Sequence, residues 1–122
     1  MFDTLYMIER GVGDFAKSLD WYARFIGRKP SFMDAPNFYA HFELNQIRLA
    51  IKGVISPRSN DLLHFQVPDL LAEERRLHKI GILPTSPWKE SDEGYRRLIY
   101  CDPDGQPICV FDWIVRSPGW DI

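Results

Sequence analysis

The side chains able to carry acid–base or metal chemistry are few in this sequence. Histidine occurs three times, at His41, His64 and His78, and cysteine occurs twice, at Cys101 and Cys109. An imidazole can bind a metal ion or transfer a proton near neutral pH, and a thiolate can bind soft metals or act as a nucleophile. His78 follows a run of charged residues and is expected on the surface, so His41 and His64 are the histidines to consider.

His64 lies in residues 62–67, a run typical of a β-strand. Alternation along a strand places Leu62, His64 and Gln66 on the face opposite Phe65. In a largely apolar concave site, one imidazole can form a directed hydrogen bond with a ligand or act as a general acid or base. The alternative interpretation is a histidine that hydrogen-bonds a neighbouring strand and has no further role.

Two helices position these strands. Asp14 suits an N-cap and is followed by an apolar stripe of helical period that ends at Gly27. Pro68 and Asp69 open a second helix, which ends at Gly81. The stripe of the first helix consists of Phe15, Leu19, Tyr22 and Ile26, and that of the second consists of Leu70, Leu77 and Ile80.

Short strand-like runs flank each helix, so each half of the chain reads β-α-β-β-β. In the first half the runs are residues 2–8, 30–33, 38–44 and 47–51; in the second half they are 62–67, a strand near Ile82, 95–100 and 107–113. We expect a single domain over residues 1–115, with modules at 1–55 and 60–115, and a tail at 116–122. A longer polar loop, residues 86–94 around Trp88, is either a functional loop or a mobile surface loop.

Composition restricts the function classes. Of the 122 residues, 45% are hydrophobic and 26% are charged, which is typical of a folded soluble protein. The formal net charge of −2 argues against sequence-independent nucleic-acid binding, and no apolar run approaches the roughly 18 residues of a membrane span. The first residues lack the pattern of a secretory signal. We therefore expect a cytoplasmic protein with reduced cysteines, which binds neither nucleic acid nor membrane.

The order and spacing of these elements resemble the vicinal oxygen chelate superfamily, which includes glyoxalase I, extradiol dioxygenases and bleomycin-resistance proteins. The matching residues are Val12-x-Asp14, Ser18, Trp21-Tyr22 and Ile26-Gly27 in the first half, and Phe65-x-Val67-x-Asp69, Leu77, Gly81 and Asp102-Pro103-Asp104-Gly105 in the second. The resemblance implies an α+β fold in which two βαβββ modules form a half-open barrel around a cleft. It also implies a homodimer.

Metal-dependent members of this superfamily use His and Glu ligands on strands that face the cleft. The resemblance assigns these four positions to Met7, Leu49, Leu62 and Cys109. Leucine supplies no donor atom, and hard divalent ions require oxygen or imidazole ligands, so we predict a site without metal or other cofactor. A relocated metal site built from Glu9, His41, Glu43 and His64 would require a ligand geometry unlike that of the family.

These observations favour a small-molecule-binding protein of the bleomycin-resistance type, which sequesters an aromatic or amphipathic ligand such as an antibiotic. Phe111 and Trp113 share strand parity with Cys109 and should line the site with Leu49 and Ile51, and Trp88 could fold over the open side. No residue is assigned a catalytic role. The predicted ligand-binding residues are Met7, Leu49, Ile51, Leu62, His64, Gln66, Trp88, Cys109, Phe111 and Trp113.

Three alternatives stay open. Phe111 and Trp113 could simply fill the barrel. The protein could be a lyase, isomerase or dioxygenase-like enzyme with displaced metal ligands, or one that uses His64 as a general base. It could also be an accessory subunit whose cleft is vestigial.

Overall fold

The structure is a computed structural model that describes residues 1–58 and 60–113. The predicted tail, residues 116–122, lies outside the described residues. The contacts divide the chain into two compact units. The first contains Met1–Asn60 together with Asp102–Gln106, and the second contains Asp61–Cys101 and, among the residues described, 107–113. No helix in the described ranges is both long and apolar enough to cross a lipid bilayer.

The first unit has the predicted β-α-β-β-β order. Its elements are β1 (Met7–Val12), α1 (Phe15–Ile26), β2 (Phe32–Asp34), β3 (Tyr39–Glu43) and β4 (Arg48–Gly53), with one 3₁₀ turn over Ala35–Asn37. The four strands form one sheet in the order β1-β4-β3-β2. Strand β1 is parallel to β4, and the other neighbours are antiparallel.

Helix α1 begins and ends where the sequence predicts. The Asp14 side chain accepts a hydrogen bond from the Lys17 backbone N–H, and Gly27 adopts a left-handed conformation with φ of 87°. These two caps satisfy backbone groups that the helix itself leaves unpaired. The face that α1 buries is formed by Ser18, Tyr22 and Phe25.

The second unit repeats the same order. Its elements are β5 (Leu63–Gln66), α2 (Leu70–Lys79), β6 (Lys89–Glu90), β7 (Tyr95–Cys101) and β8 (Pro107–Trp113). The sheet order is β5-β8-β7-β6, with β5 parallel to β8. Asp69 caps α2 by accepting a hydrogen bond from the Ala72 backbone N–H at 3.2 Å.

The prediction of a strand near Ile82 is wrong. The Ile82 backbone N–H donates to the Leu77 carbonyl at 2.9 Å and so closes the end of α2, while its side chain is buried. That backbone donor is therefore used by the helix end, and the short strand of this module forms later, at Lys89–Glu90.

A buried polar network joins β1, α1 and the turn at Asp102–Gln106 within the first unit. The Tyr22 hydroxyl donates to Asp102 Oδ2 at 2.7 Å, and Arg10 Nη1 donates to the Tyr22 oxygen at 3.3 Å. Gln106 Nε2 donates to Asp102 Oδ2 and to the Gly11 carbonyl. Burial raises the pKa of the Tyr22 hydroxyl, which therefore stays protonated and acts as the donor to Asp102.

A second buried carboxylate connects α2 to its sheet. Asp112 Oδ2 accepts from the Leu70 backbone N–H at 2.8 Å, and Asp112 Oδ1 accepts from Arg96 Nε at 2.9 Å. The hydrogen bonds from Arg96, reinforced by the one from Leu70, lower the pKa of the Asp112 carboxyl. Asp112 is almost fully buried, whereas the Arg96 side chain is 29% exposed.

Substitution of Tyr22 by Phe tests the first network. The change removes the hydroxyl that donates to the buried Asp102 and accepts from the buried Arg10. We therefore expect the free energy of unfolding to fall by about 1–3 kcal/mol. Urea unfolding followed by circular dichroism measures the change. Tyr95→Phe is the matched control and should alter stability by less than about 0.5 kcal/mol; equal effects of the two variants would contradict the role of the network.

The Arg96–Asp112 contact predicts a pH dependence of stability. Because the folded pKa of Asp112 is lowered, its contribution is fully present above the unfolded carboxyl pKa of about 3.9 and is lost as the pH falls through the folded value. Asp112→Asn should lower the free energy of unfolding by roughly 1–3 kcal/mol at neutral pH. The difference from wild type should shrink below about pH 4.

Urea titrations at a series of pH values measure this difference. Asp92→Asn, which changes an exposed loop carboxylate, is the control. An Asp112→Asn deficit that stays constant down to acid pH would contradict the assignment.

Candidate ligand-binding site

Each helix covers one face of its sheet, and the other face is called here the helix-free face. In the second unit, Asp112 contacts the first residue of α2 and so marks the covered face. Strand alternation then places Phe111 and Trp113 on the helix-free face. Strand pairing adds the neighbours of these residues to that face, namely His64, Gln66, Tyr95, Arg97, Ile99 and Cys109.

Three rings on this face form the aromatic cluster, defined as Tyr95, Phe111 and Trp113. Their ring centroids lie 5.5–5.7 Å apart, and all three pairs meet edge to face. Such contacts contribute about 0.5–1.5 kcal/mol per pair beyond the burial of area, so the rings hold one another in place. Trp113 is still 39% exposed, and it offers indole surface to a ligand.

Two polar side chains flank the aromatic cluster. The His64 ring lies 6.4 Å from the Phe111 ring and is exposed, and we find no hydrogen bond to this imidazole within residues 1–58 and 60–113. Gln66 Oε1 accepts from Trp113 Nε1 at 3.4 Å, which leaves the amide nitrogen of Gln66 as a donor. The arrangement combines aromatic surface with directed hydrogen-bonding groups.

Cys109 lies on the same face but is fully buried, and Cys101 at the end of β7 is half-buried. Burial raises the pKa of the Cys109 thiol. Both thiols are free. Cys109 is therefore a poor nucleophile and a poor metal ligand, because both roles require the thiolate. Leu62 comes just before β5 and is 37% exposed.

The expectation that Leu49 and Ile51 face the ligand site is wrong. Ile51 pairs with Arg10, whose side chain reaches Tyr22 of α1, so this row of side chains lies under the helix. Leu49 and Ile51 are 3% and 0% exposed and belong to the core. In β4 the residues that face away from α1 are therefore their neighbours Arg48, Ala50 and Lys52, because successive residues of a strand point to opposite faces.

The helix-free face of the first sheet is more polar. Here the Tyr39 hydroxyl oxygen lies 3.1 Å from His41 Nδ1 and 3.6 Å from the sulfur of Met7. The Phe32 ring stacks on His41 at 5.4 Å. Burial, assisted by Glu9, raises the pKa of the Tyr39 hydroxyl. Sequence reasoning missed Tyr39 and Phe32, although Tyr39 stands two residues before His41 and therefore shares its face.

Trp88 does not fold over the helix-free face of its sheet, so that expectation is also wrong. Its indole Nε1 donates to Glu74 Oε1 of α2 at 3.0 Å, and the Arg96 guanidinium lies 5.0 Å from the centre of its ring. Because Arg96 also binds Asp112, these contacts hold Trp88 on the side of the sheet that α2 covers.

The donor atoms do not fit a divalent metal ion. Of the four positions that the resemblance assigns to metal ligands, Leu49 and Leu62 have no donor, Met7 offers a thioether and Cys109 a protonated thiol. In the described ranges no three His, Cys, Asp or Glu side chains are grouped so that they could hold a metal ion. In the relocated set, Glu43 is paired with Arg48 at 3.0 Å.

Comparison with solved structures identifies the fold. The chain is similar to a glyoxalase/bleomycin resistance protein from Catenulispora acidiphila DSM 44928, at 24% identity and a TM-score of 0.77, covering 90% of this chain and 98% of that one. It is similar to a glyoxalase-related enzyme from Fulvimarina pelagi, at 21% identity and a TM-score of 0.75, covering 91% and 88%. A lactoylglutathione lyase from Agrobacterium tumefaciens matches at 12% identity and a TM-score of 0.75, covering 92% and 95%.

These matches show that the chain has the glyoxalase/bleomycin-resistance fold, which confirms the α+β fold predicted from the resemblance to the vicinal oxygen chelate superfamily. No protein-family model matches the sequence, and no curated protein matches it.

The two thiols should differ in reactivity. We expect Cys101 of the native protein to react with 5,5′-dithiobis(2-nitrobenzoic acid) at least about tenfold faster than Cys109, because Cys109 is buried and its pKa is raised. The absorbance of the released thiolate measures both rates. Cys101→Ser should remove the fast phase, and the remaining phase should accelerate in urea; fast native labelling of that variant would contradict the buried position of Cys109.

Proposed function

We propose that this chain is a metal-free small-molecule-binding protein that sequesters an aromatic or amphipathic ligand, such as an antibiotic. The observation that supports this most is the aromatic cluster on the helix-free face of the second sheet. Three mutually oriented rings beside His64 and Gln66 suit a flat, partly apolar molecule that also carries hydrogen-bonding groups.

Binding to this face requires little reorganisation of the protein. Tyr95 and Phe111 are half-buried and hold Trp113 by edge contacts, so a ligand that stacks on the indole meets a ring that is already ordered. Ordering a side chain on binding would cost about 0.5–1.5 kcal/mol, and this pre-ordered surface avoids much of that cost. His64 can then donate or accept one hydrogen bond, which orients the ligand on the aromatic surface.

Sequestration also agrees with the donor atoms of the chain. A binding protein needs only a complementary surface, whereas a metal-dependent enzyme of this fold needs oxygen or imidazole ligands that Met7, Leu62 and Cys109 do not provide. From the sequence resemblance we further propose a cytoplasmic homodimer. The proposal rests on four of the predicted ligand contacts, His64, Gln66, Phe111 and Trp113, and on Tyr95. Ligand contacts by Met7, Leu62 and Cys109 remain predictions.

Binding of metal-free bleomycin, measured by isothermal titration calorimetry, tests the proposed function. We expect micromolar or tighter binding that chelator treatment leaves unchanged. Trp113→Ala should weaken it by about tenfold or more, equal to about 1.4 kcal/mol, because the largest exposed ring is lost. Trp88→Phe is the matched control, since Trp88 lies on the covered side, and it should bind as wild type.

A small panel of flat aromatic probes, assayed by thermal shift, extends the test to other ligands of the proposed class. A ligand that binds only the folded state must raise its melting temperature. If neither bleomycin nor any panel member binds, or if Trp113→Ala and Trp88→Phe behave alike, the proposal is wrong. Binding that is lost after chelation would contradict the metal-free state.

A further inference from the structure

A groove of about 1070 Å³ runs along helix α1 of the first unit. Its wall is almost entirely apolar and is formed chiefly by Phe15, Leu19, Met33, Phe38, Val54 and Ile55. The volume is slightly larger than the range of about 300–1,000 Å³ usual for small-molecule sites. Phe15 belongs to α1, so the groove lies on the helix side of the first sheet and is separate from the aromatic cluster of the second.

Phe38 is the most unusual residue in the wall of this groove. Its backbone is left-handed, with φ of 53° and ψ of 52°, and it is the one non-glycine residue with positive φ in residues 1–58 and 60–113. A left-handed conformation is unfavourable for an L-residue, and a bulky side chain adopts it rarely. Yet the side chain is 58% exposed, so burial of the ring does not offset this cost.

The surrounding backbone fixes Phe38 in this conformation. Its N–H donates to the Ala35 carbonyl at 3.0 Å, and its carbonyl accepts from the Gly53 N–H at 2.8 Å. A Cβ on Gly53 would lie 2.8 Å from the Cβ of Phe38, so only glycine permits this approach. The turn thus holds an aromatic ring over the groove, edge-on to Phe15 at 6.2 Å, and strain of this kind is concentrated at functional sites.

The charged side chains that line the groove are carboxylates. Asp14 and Asp20 are the charged residues among those that line it, and both are exposed. Asp104 adds a third carboxylate at the same end, because its Oδ2 accepts from the Gly13 N–H at 3.0 Å. Arg24 is paired with Asp20 at 3.0 Å but does not line the groove.

We propose that this groove binds a small amphipathic cation, an alkyl- or arylammonium whose apolar part lies along α1. Aromatic faces attract a cationic ammonium group, and carboxylates at the end of an apolar groove favour the same charge. Phe15 and Phe38 supply the aromatic faces, and Asp14 and Asp20 supply the negative charge. The site is independent of the proposed function, since it uses none of the residues of the helix-free faces.

Hexyltrimethylammonium, used below its micellar concentration, is the probe, with 1-heptanol and hexyl sulfate as neutral and anionic analogues. In ¹H–¹⁵N NMR titrations we expect shifts concentrated around residues 13–20, Phe38 and Val54. The cation should bind at least about fivefold more tightly than either analogue. Asp20→Asn should reduce that preference.

Phe38→Gly separates binding from stability. Glycine adopts positive φ without strain, so the variant should unfold at the same temperature as wild type or higher, yet bind the cation at least about fivefold more weakly. Phe32→Ala is the matched control: it removes a comparably exposed ring from the helix-free face of the same sheet and should leave the affinity unchanged.

Three results would overturn the proposal. Equal affinity for the three probes would show that charge plays no part. Unchanged cation binding by Phe38→Gly would show that the Phe38 ring does not contribute to binding. Concentration-dependent self-association in sedimentation velocity that Phe38→Gly abolishes would show that a second copy of the chain occupies the groove instead.

Discussion

In each module one face of a four-stranded sheet is buried under a helix, and this packing contact determines which side chains remain available to a ligand. Because successive residues of a strand point to opposite faces, the contact assigns every residue of the sheet to one side or the other. Ile51 and Asp112 thereby belong to the covered faces, and His41 and Phe111 to the helix-free faces. The side chains that can contact a ligand on these sheets are therefore those of the helix-free faces.

The two modules secure their helices with buried polar contacts as well as apolar packing. In the first, Tyr22 of α1 connects Arg10 to the carboxylate of Asp102; in the second, Asp112 accepts from the first backbone N–H of α2 and from Arg96. A buried charge is tolerated only when it is paired and hydrogen-bonded, so each of these contacts permits one relative placement of helix and strand. They stabilise the packing of each helix on the covered face of its sheet. The side chains on the helix-free faces take no part in that packing.

The residue types on those free faces are the ones on which the proposed binding of a ligand rests. The second sheet presents rings and the exposed imidazole of His64, and the first presents the Tyr39–His41 pair beside Phe32. Thioether and protonated thiol are the donors at two positions where metal-dependent relatives would need imidazole or carboxylate, and such donors do not hold a hard cation. The groove along α1 adds an apolar surface of different character, and its Phe38 is the one non-glycine residue with positive φ among the residues described.

The sequence alone determined the repeated β-α-β-β-β order, the caps at Asp14 and Asp69, and the scarcity of metal ligands, because capping, periodicity and residue type are local properties. The tertiary structure alone decided that Leu49 and Ile51 lie under α1, because the pairing of β4 with β1 determines which face each residue of β4 occupies. It also decided the positions of Trp88 and Phe38. Trp88 binds Glu74, and Phe38 is held by Gly53, which lie 14 and 15 residues away along the chain. Such contacts have no periodic signal, because they form only once the strands and helices have packed.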